Sequence, residues 1–140
     1  MIKIAINGFG RIGRNLFRLL LEHPSIEVVA INDLADNKTM AHLLKYDSIH
    51  GVLDKEVSFD EQGIWVSGKH YSFFHQKNIA DIPWKQAAPD FVIEATGKFK
   101  TYQELNQHIT AGAQRVILSA PAEVPEIKTV VLGVNEHILE

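Results

Sequence analysis

Cysteine is missing altogether from the 140 residues. That excludes disulfides, thiolate metal ligands and a cysteine nucleophile within the chain. An excess of positive charge is missing too. The 14 Lys and Arg face 17 Asp and Glu, for a formal net charge of -3, so there is no broad basic field of the kind that non-specific nucleic-acid binding relies on. An anionic ligand must then be held by local geometry. No apolar run is long enough to cross a membrane. The short apolar start, Ile2 to Ile6, has neither a basic leader nor a small-residue cleavage site beside it, which makes a cytoplasmic protein the expectation. The 7 histidines never take the HExxH or a comparable ligand spacing, so no metal is expected. Repeats, linkers and low-complexity tracts are absent as well. What remains, 46% hydrophobic and 22% charged, suits one globular domain with one sizeable core.

Short apolar runs alternate with helical periods. Ile2 to Ile6 is β-branched, too brief for a helix, and stopped by Asn7-Gly8, which predicts a buried strand. From Arg11 to about His23, Ile12, Leu16, Leu19 and Leu20 recur at helical spacing, with Arg11, Arg14, Arg18 and Glu22 on the other side and Pro24 as the stop. "IEVVAI" at residues 26–31 is again a strand, which completes a βαβ unit. A second helix is expected over Lys38 to Lys45, capped by Asp36 or Asn37, with Met40, Leu43 and Leu44 inward.

The period then changes. Apolar and polar residues alternate around Gly63 and Gly68, which predicts a small antiparallel meander at about residues 55–76, with strands near Val57 to Phe59, Ile64 to Val66 and Tyr71 to His75. Trp65, Phe73 and Phe74 lie in it without basic residues flanking them on the same face, so packing accounts for them better than base stacking does. A one-turn helix is expected at Asn78 to Ile82. "DFVIEATG" resumes the strand pattern. Thr101 followed three residues later by Glu104 predicts a capping box on a helix that Gly112 closes after Ala111. "RVILSAP" and "TVVLGVN" predict two further strands, giving one open α/β sheet with an antiparallel insertion.

Between the first strand and the first helix stands "INGFGRIG", in which Gly8, Gly10 and Gly13 fit GxGxxG. The pattern is common by chance, but here it follows a predicted strand and opens a predicted helix, the context in which it binds a dinucleotide. Gly8 and Gly10 would permit a tight turn and close backbone approach to a pyrophosphate, and Gly13 would let helix and sheet touch. Unpaired N–H groups of the first helical turn would face the anion. Asp33 stands 20 residues beyond Gly13 at the end of "VVAIND". Its carboxylate can accept hydrogen bonds from the adenosine ribose and would repel a 2′-phosphate, which favours NAD over NADP. Three further strand ends, "ATG" at 95–97, "SAP" at 119–121 and "GVN" at 133–135, would lie on the same rim.

Beyond this, "INGFGRIGR", "VAIND", "HLLKYDSIHG", "EATGKF", "GAQRVILSAP" and "LGVN" stand in the order and spacing found in one family. Across residues 1 to 140 the sequence resembles the amino-terminal part of phosphorylating glyceraldehyde-3-phosphate dehydrogenases. The resemblance implies a Rossmann-type α/β domain, mainly parallel, with helices on both faces of the sheet. It implies that Asn7, Gly8, Phe9, Gly10, Arg11 and Ile12 surround the NAD pyrophosphate, Asn32 and Asp33 the adenosine ribose, and Lys77 the adenine edge, with Leu34 beside the adenine. Thr96, Gly97, Phe99, Ser119 and Ala120 would lie along the ribose and nicotinamide side. Erythrose-4-phosphate dehydrogenases are similar, but they tend to carry glutamate where this chain has Asp33, and they depart from "SAP". The family's nucleophilic cysteine, its partner histidine and its phosphate-binding residues lie past position 140. The chain is therefore expected to bind NAD without catalysing, its implied partners being the catalytic domain and the copies that form a homotetramer. A surface or RNA-binding role for the domain is the rival reading, and the net charge of -3 speaks against it.

Overall fold

The structure is a computed structural model and describes residues 1–119. Chain order is β1 (Ile2–Asn7), α1 (Arg11–Leu20), β2 (Ile26–Asn32), α2 (Asn37–Lys45), β3 (Tyr46–Asp47), β4 (Gly51–Val52), β5 (Val57–Asp60), β6 (Gly63–Val66), β7 (Lys69–Phe74), a 3-10 turn (Ile79–Asp81), α3 (Trp84–Ala87), β8 (Phe91–Glu94), α4 (Tyr102–Ala111) and β9 (Arg115–Leu118). The strand expected in "TVVLGVN" lies outside the described residues.

Seven strands form one sheet in the order β5-β6-β7-β2-β1-β8-β9. The four pairs from β7 to β9 are parallel, and β5, β6 and β7 are antiparallel. The meander is thus no separate hairpin unit, since β7 joins β2 in register Ala30↔Ser72 to Asn32↔Phe74 and extends the main sheet. A two-stranded pairing of β3 with β4 was not anticipated.

Side chains alternate across the sheet and feed two cores. On one face Ile4, Ile6, Val28, Ile31 and Ile93 pack with Phe17 of α1 and with Met40 and Leu44 of α2. On the other, Ala5, Ala30 and Val92 leave room for Trp84, Ile79 and Ile82. Small residues on the centre strands let that large indole come down onto the sheet, where it is fully buried.

The α1 face is the expected one only in part, since Leu16 and Leu20 pack against the core but Ile12 and Leu19 do not. Its buried residues are Gly13 and Phe17, whereas Ile12 is 54% and Leu19 76% exposed. Gly13 must face the sheet, since a Cβ there would stand 2.2 Å from the carbonyl oxygen of Gly8. Phe17, one turn further on, follows it inward and meets Phe9 and Tyr71 edge-on. Arg14 and Arg18, on the side away from the apolar spacing, are not left to solvent either. Arg18 Nη2 donates to the carbonyls of Leu44 at 2.6 Å and Gly51 at 3.0 Å, so a cation closes the negative end of α2.

Local caps follow the sequence closely. Asp36 accepts from Thr39 N–H at the start of α2. At α4, Thr101 and Glu104 form the reciprocal capping box, and Gly112 ends the helix.

Trp65 corrects the packing expectation, because it stays 39% exposed. It meets the His70 ring at a tilt, 4.8 Å between centroids, and donates Nε1–H to Asp60 Oδ2 at 2.8 Å. That bond, with the Gln62 and Gly63 amides and His70, brings the Asp60 carboxyl down from 3.8 to about 2. A carboxyl whose pKa is lower folded than unfolded stabilises the fold above its unfolded pKa and stops doing so as pH falls through the folded value. The urea midpoint of the natural chain should therefore exceed that of Asp60→Asn at pH 6, and the gap should close as pH approaches 2. A gap that does not change with pH would contradict the assignment.

Candidate dinucleotide site

The carboxyl ends of β1, β2 and β8 bound a cleft of about 390 Å³, where open α/β sheets place their ligands. Around it stand Asn7, Gly8, Gly10, Asn32, Asp33, Leu34, Lys77, Thr96 and Phe99 from the expected set. Ala95, from the "ATG" strand end, lines it as well, and Gln76, Asn78 and Lys98 do so although the sequence did not single them out. These three sit on loops after β7 and β8, where no periodicity marks them.

The glycine loop is built by two close approaches. Gly8 has φ +99°, a conformation that side chains disfavour, and a Cβ on it would meet Thr96 N at 2.8 Å. Gly13 seats α1 against the carbonyl of Gly8. Gly10 is different, because a Cβ there would meet nothing within 4 Å. Packing within the chain does not require glycine at that position, and the open space beside it is where an anion could come against the backbone. α1 begins at Arg11, so its first N–H groups have no partner one turn back. Arg11 and Ile12 themselves are exposed beside the loop rather than part of the cleft wall.

Phe9 has no side-chain role in the cleft, since its ring is fully buried between Phe17 and Phe73. Its backbone is fixed from both sides. Asp33 Oδ2 accepts from Phe9 N–H at 2.7 Å, and Arg14 Nη1 donates to Phe9 O at 3.0 Å. Burial is the largest influence on Arg14 and lowers its pKa, with Asp47 and Asp33 opposing the shift.

Asp33 also accepts from Ala35 N–H at 3.0 Å through Oδ1. A carboxylate has about four acceptor sites, so Asp33 ties down the loop and keeps acceptor capacity for a ligand at the cleft. His75 Nδ1 lies 2.8 Å from the Asp33 carbonyl. A carbonyl can only accept, so Nδ1 carries the proton. Leu34 is 55% exposed at the rim. Gly97 turns at φ +75° just outside the lining. Ser119 is turned to the sheet, donating Oγ–H to the Glu94 carbonyl at 2.9 Å. Ala120 lies outside the described residues.

Comparison with known proteins decides the family. Residues 2–102 match the family model described as glyceraldehyde 3-phosphate dehydrogenase, NAD binding domain. The chain belongs to this family. Over 135 residues it is 49% identical to a glyceraldehyde-3-phosphate dehydrogenase of Geobacillus stearothermophilus, covering 96% of this chain and 40% of that protein. With the Thermotoga maritima protein of the same name the identity is 49% over 142 residues, covering 100% of this chain and 42% of the relative. Glyceraldehyde-3-phosphate dehydrogenase 2 of Streptomyces avermitilis is 53% identical over 136 residues, covering 96% and 40%. The chain thus spans about 40% of the length of the curated relatives it matches. Its cofactor is NAD, and its sheet is that of a Rossmann-type domain. Among the described residues no cluster of three His, Cys, Asp or Glu could hold a metal, and no helix is long and apolar enough to cross a membrane.

Proposed function

We propose that this chain is the cofactor-holding part of a phosphorylating glyceraldehyde-3-phosphate dehydrogenase. The observation that carries the reading is Asp33, whose carboxylate pins the glycine loop through Phe9 N–H and retains acceptors toward the cleft. The amides of Gly10, Arg11 and Ile12 would receive the pyrophosphate, and the open side of Gly10 fits that group. Asp33 would take the adenosine ribose, with Asn32 beneath it holding the end of β2 through Asn7 and Gln76, and with Leu34 and Lys77 at the adenine. Thr96, Gly97 and Phe99, with Ser119 and Ala120 beyond them, would border the nicotinamide half. NAD supplies a hydride acceptor when bound. In the family's reaction a cysteine-bound hemithioacetal gives up a hydride, and phosphate then attacks the thioester. None of these 140 residues is a cysteine, so the chain's own contribution is binding, orientation and cofactor choice. A homotetramer and a cytoplasmic setting complete the proposal.

Calorimetric titration tests it. NAD should bind, and NADP should bind at least about tenfold more weakly, because its 2′-phosphate would meet the Asp33 carboxylate. Preference for NADP, or no NAD binding by folded chain, would overturn the reading.

A further inference from the structure

Beneath the cleft runs a buried polar chain for which binding alone gives no reason. Asn7, Asn32, Glu94 and His108 are all 3% exposed or less. Gln76 donates its backbone N–H to Asn32 Oδ1 at 2.9 Å, and its carbonyl accepts from Asn32 Nδ2 at 3.0 Å. Backbone groups cannot exchange roles, so the Asn32 amide has one orientation. Asn32 Nδ2 then donates to Asn7 Oδ1 at 2.9 Å, and Asn7 Nδ2 donates to Glu94 Oε1 at 2.7 Å.

The opposite arm is fixed the same way. An indole N–H only donates, so His108 Nδ1 accepts from Trp84 Nε1 at 2.9 Å. The imidazole proton is therefore on Nε2, which donates to Glu94 Oε1 at 2.8 Å. His108 is neutral in this arrangement, and its contact with Glu94 is a hydrogen bond rather than an ion pair. Glu94 Oε2 accepts from Thr96 N at 3.0 Å and Thr96 Oγ1 at 2.6 Å. Four donors converge on one carboxylate, which fills its acceptor sites and supports a buried negative charge without a cation.

Both arms end on Glu94, and two of its donors belong to the cleft wall, Asn7 at the end of β1, where its turn begins, and Thr96 in the turn after β8. We propose that Glu94 is a positioning residue for the cofactor cleft, setting these two turns relative to each other, and that His108 and Trp84 brace it from α4 and α3. This rests on the NAD-binding reading of the cleft.

The test uses the full chain with the variants Glu94→Gln, His108→Gln and His108→Leu, titrated with NAD where circular dichroism shows each folded. The amide group introduced by Glu94→Gln would turn donors toward donors on one side. Glu94→Gln should weaken NAD binding at least about tenfold, as should His108→Leu, which leaves the indole N–H unpartnered. His108→Gln can still accept from the indole and donate to Glu94, and should lose less than about threefold. Wild-type affinity in folded Glu94→Gln would overturn the proposal, and so would equal losses in the two His108 variants. If Glu94→Gln does not fold, the His108 pair decides alone. Amide exchange without NAD separates this claim from the functional one. In Glu94→Gln the Thr96 amide should exchange at least about tenfold faster, having lost a charged acceptor, while the Glu104 amide in the α4 cap does not change. An unchanged Thr96 amide would overturn the positioning role. Failure of the unsubstituted chain to bind NAD would overturn the functional reading instead.

Discussion

Asp33→Ala should weaken NAD binding by about 1.5–3 kcal/mol, or about 10- to 150-fold, the range for losing hydrogen bonds to a charged group. Two consequences are expected from losing this one side chain. The ligand would lose its ribose acceptor, and Phe9 N–H would lose the 2.7 Å bond that holds the glycine loop to the end of β2. Asp33→Asn separates them. It keeps the shape and one acceptor oxygen, which can serve either Phe9 N–H or Ala35 N–H but gives the ribose little. Its affinity for NAD should fall nearly as far as that of the alanine variant, with less loss of thermal stability. Removing the charge should also narrow the gap between NAD and NADP. Calorimetry on both cofactors with a melting curve for each variant provides the check. Unchanged NAD affinity in Asp33→Ala would remove Asp33 from the site.

What the sequence disclosed about this site depended on whether the cause was local. The glycine turn, the βαβ order and the Thr101–Glu104 box each involve neighbours within a turn or two, and each stands where the pattern puts it. The face of α1 did so only in part, with Leu16 and Leu20 inward but not Ile12 and Leu19, although the information was present. Reading Gly13 as the contact with the sheet already conflicts with a buried Ile12 and Leu19, and the backbone contact prevails because it permits no alternative rotamer. Arg18 reaches carbonyls 26 and 33 residues away, and Glu94 meets Asn7 across 87. Such partners leave no period in the sequence, so a stripe of arginines looked solvated, and Glu94 and His108 passed as ordinary members of a strand and a helix. The pairing of β7 with β2 went unread for the same reason, since it closes across α2 and all the short strands between them.

Gly13→Ala pits two magnitudes against each other. Within a helix, alanine is worth about 1 kcal/mol over glycine, so propensity alone predicts a more stable protein. The added Cβ would stand 2.2 Å from the Gly8 carbonyl oxygen and 3.3 Å from Ile6 Cγ2, and the first of these is backbone that cannot rotate aside. Overpacking of this kind costs about 1–3 kcal/mol and occasionally more. The steric term should win, leaving the domain less stable by up to about 2 kcal/mol. Relief requires α1 to back away from β1, which carries the unpaired amides of Arg11 and Ile12 away from the cleft, so NAD affinity should fall with stability. Gly10→Ala is the contrast, since its φ of −75° suits alanine and the methyl would meet nothing within 4 Å. That variant should melt close to the natural chain yet lose NAD affinity, because the methyl would occupy the approach to the pyrophosphate. Denaturant melts and NAD titrations of the two proteins should thus separate a glycine needed by the fold from one needed by the ligand. A Gly13→Ala protein as stable as the parent would mean that α1 does not sit against the glycine turn as described.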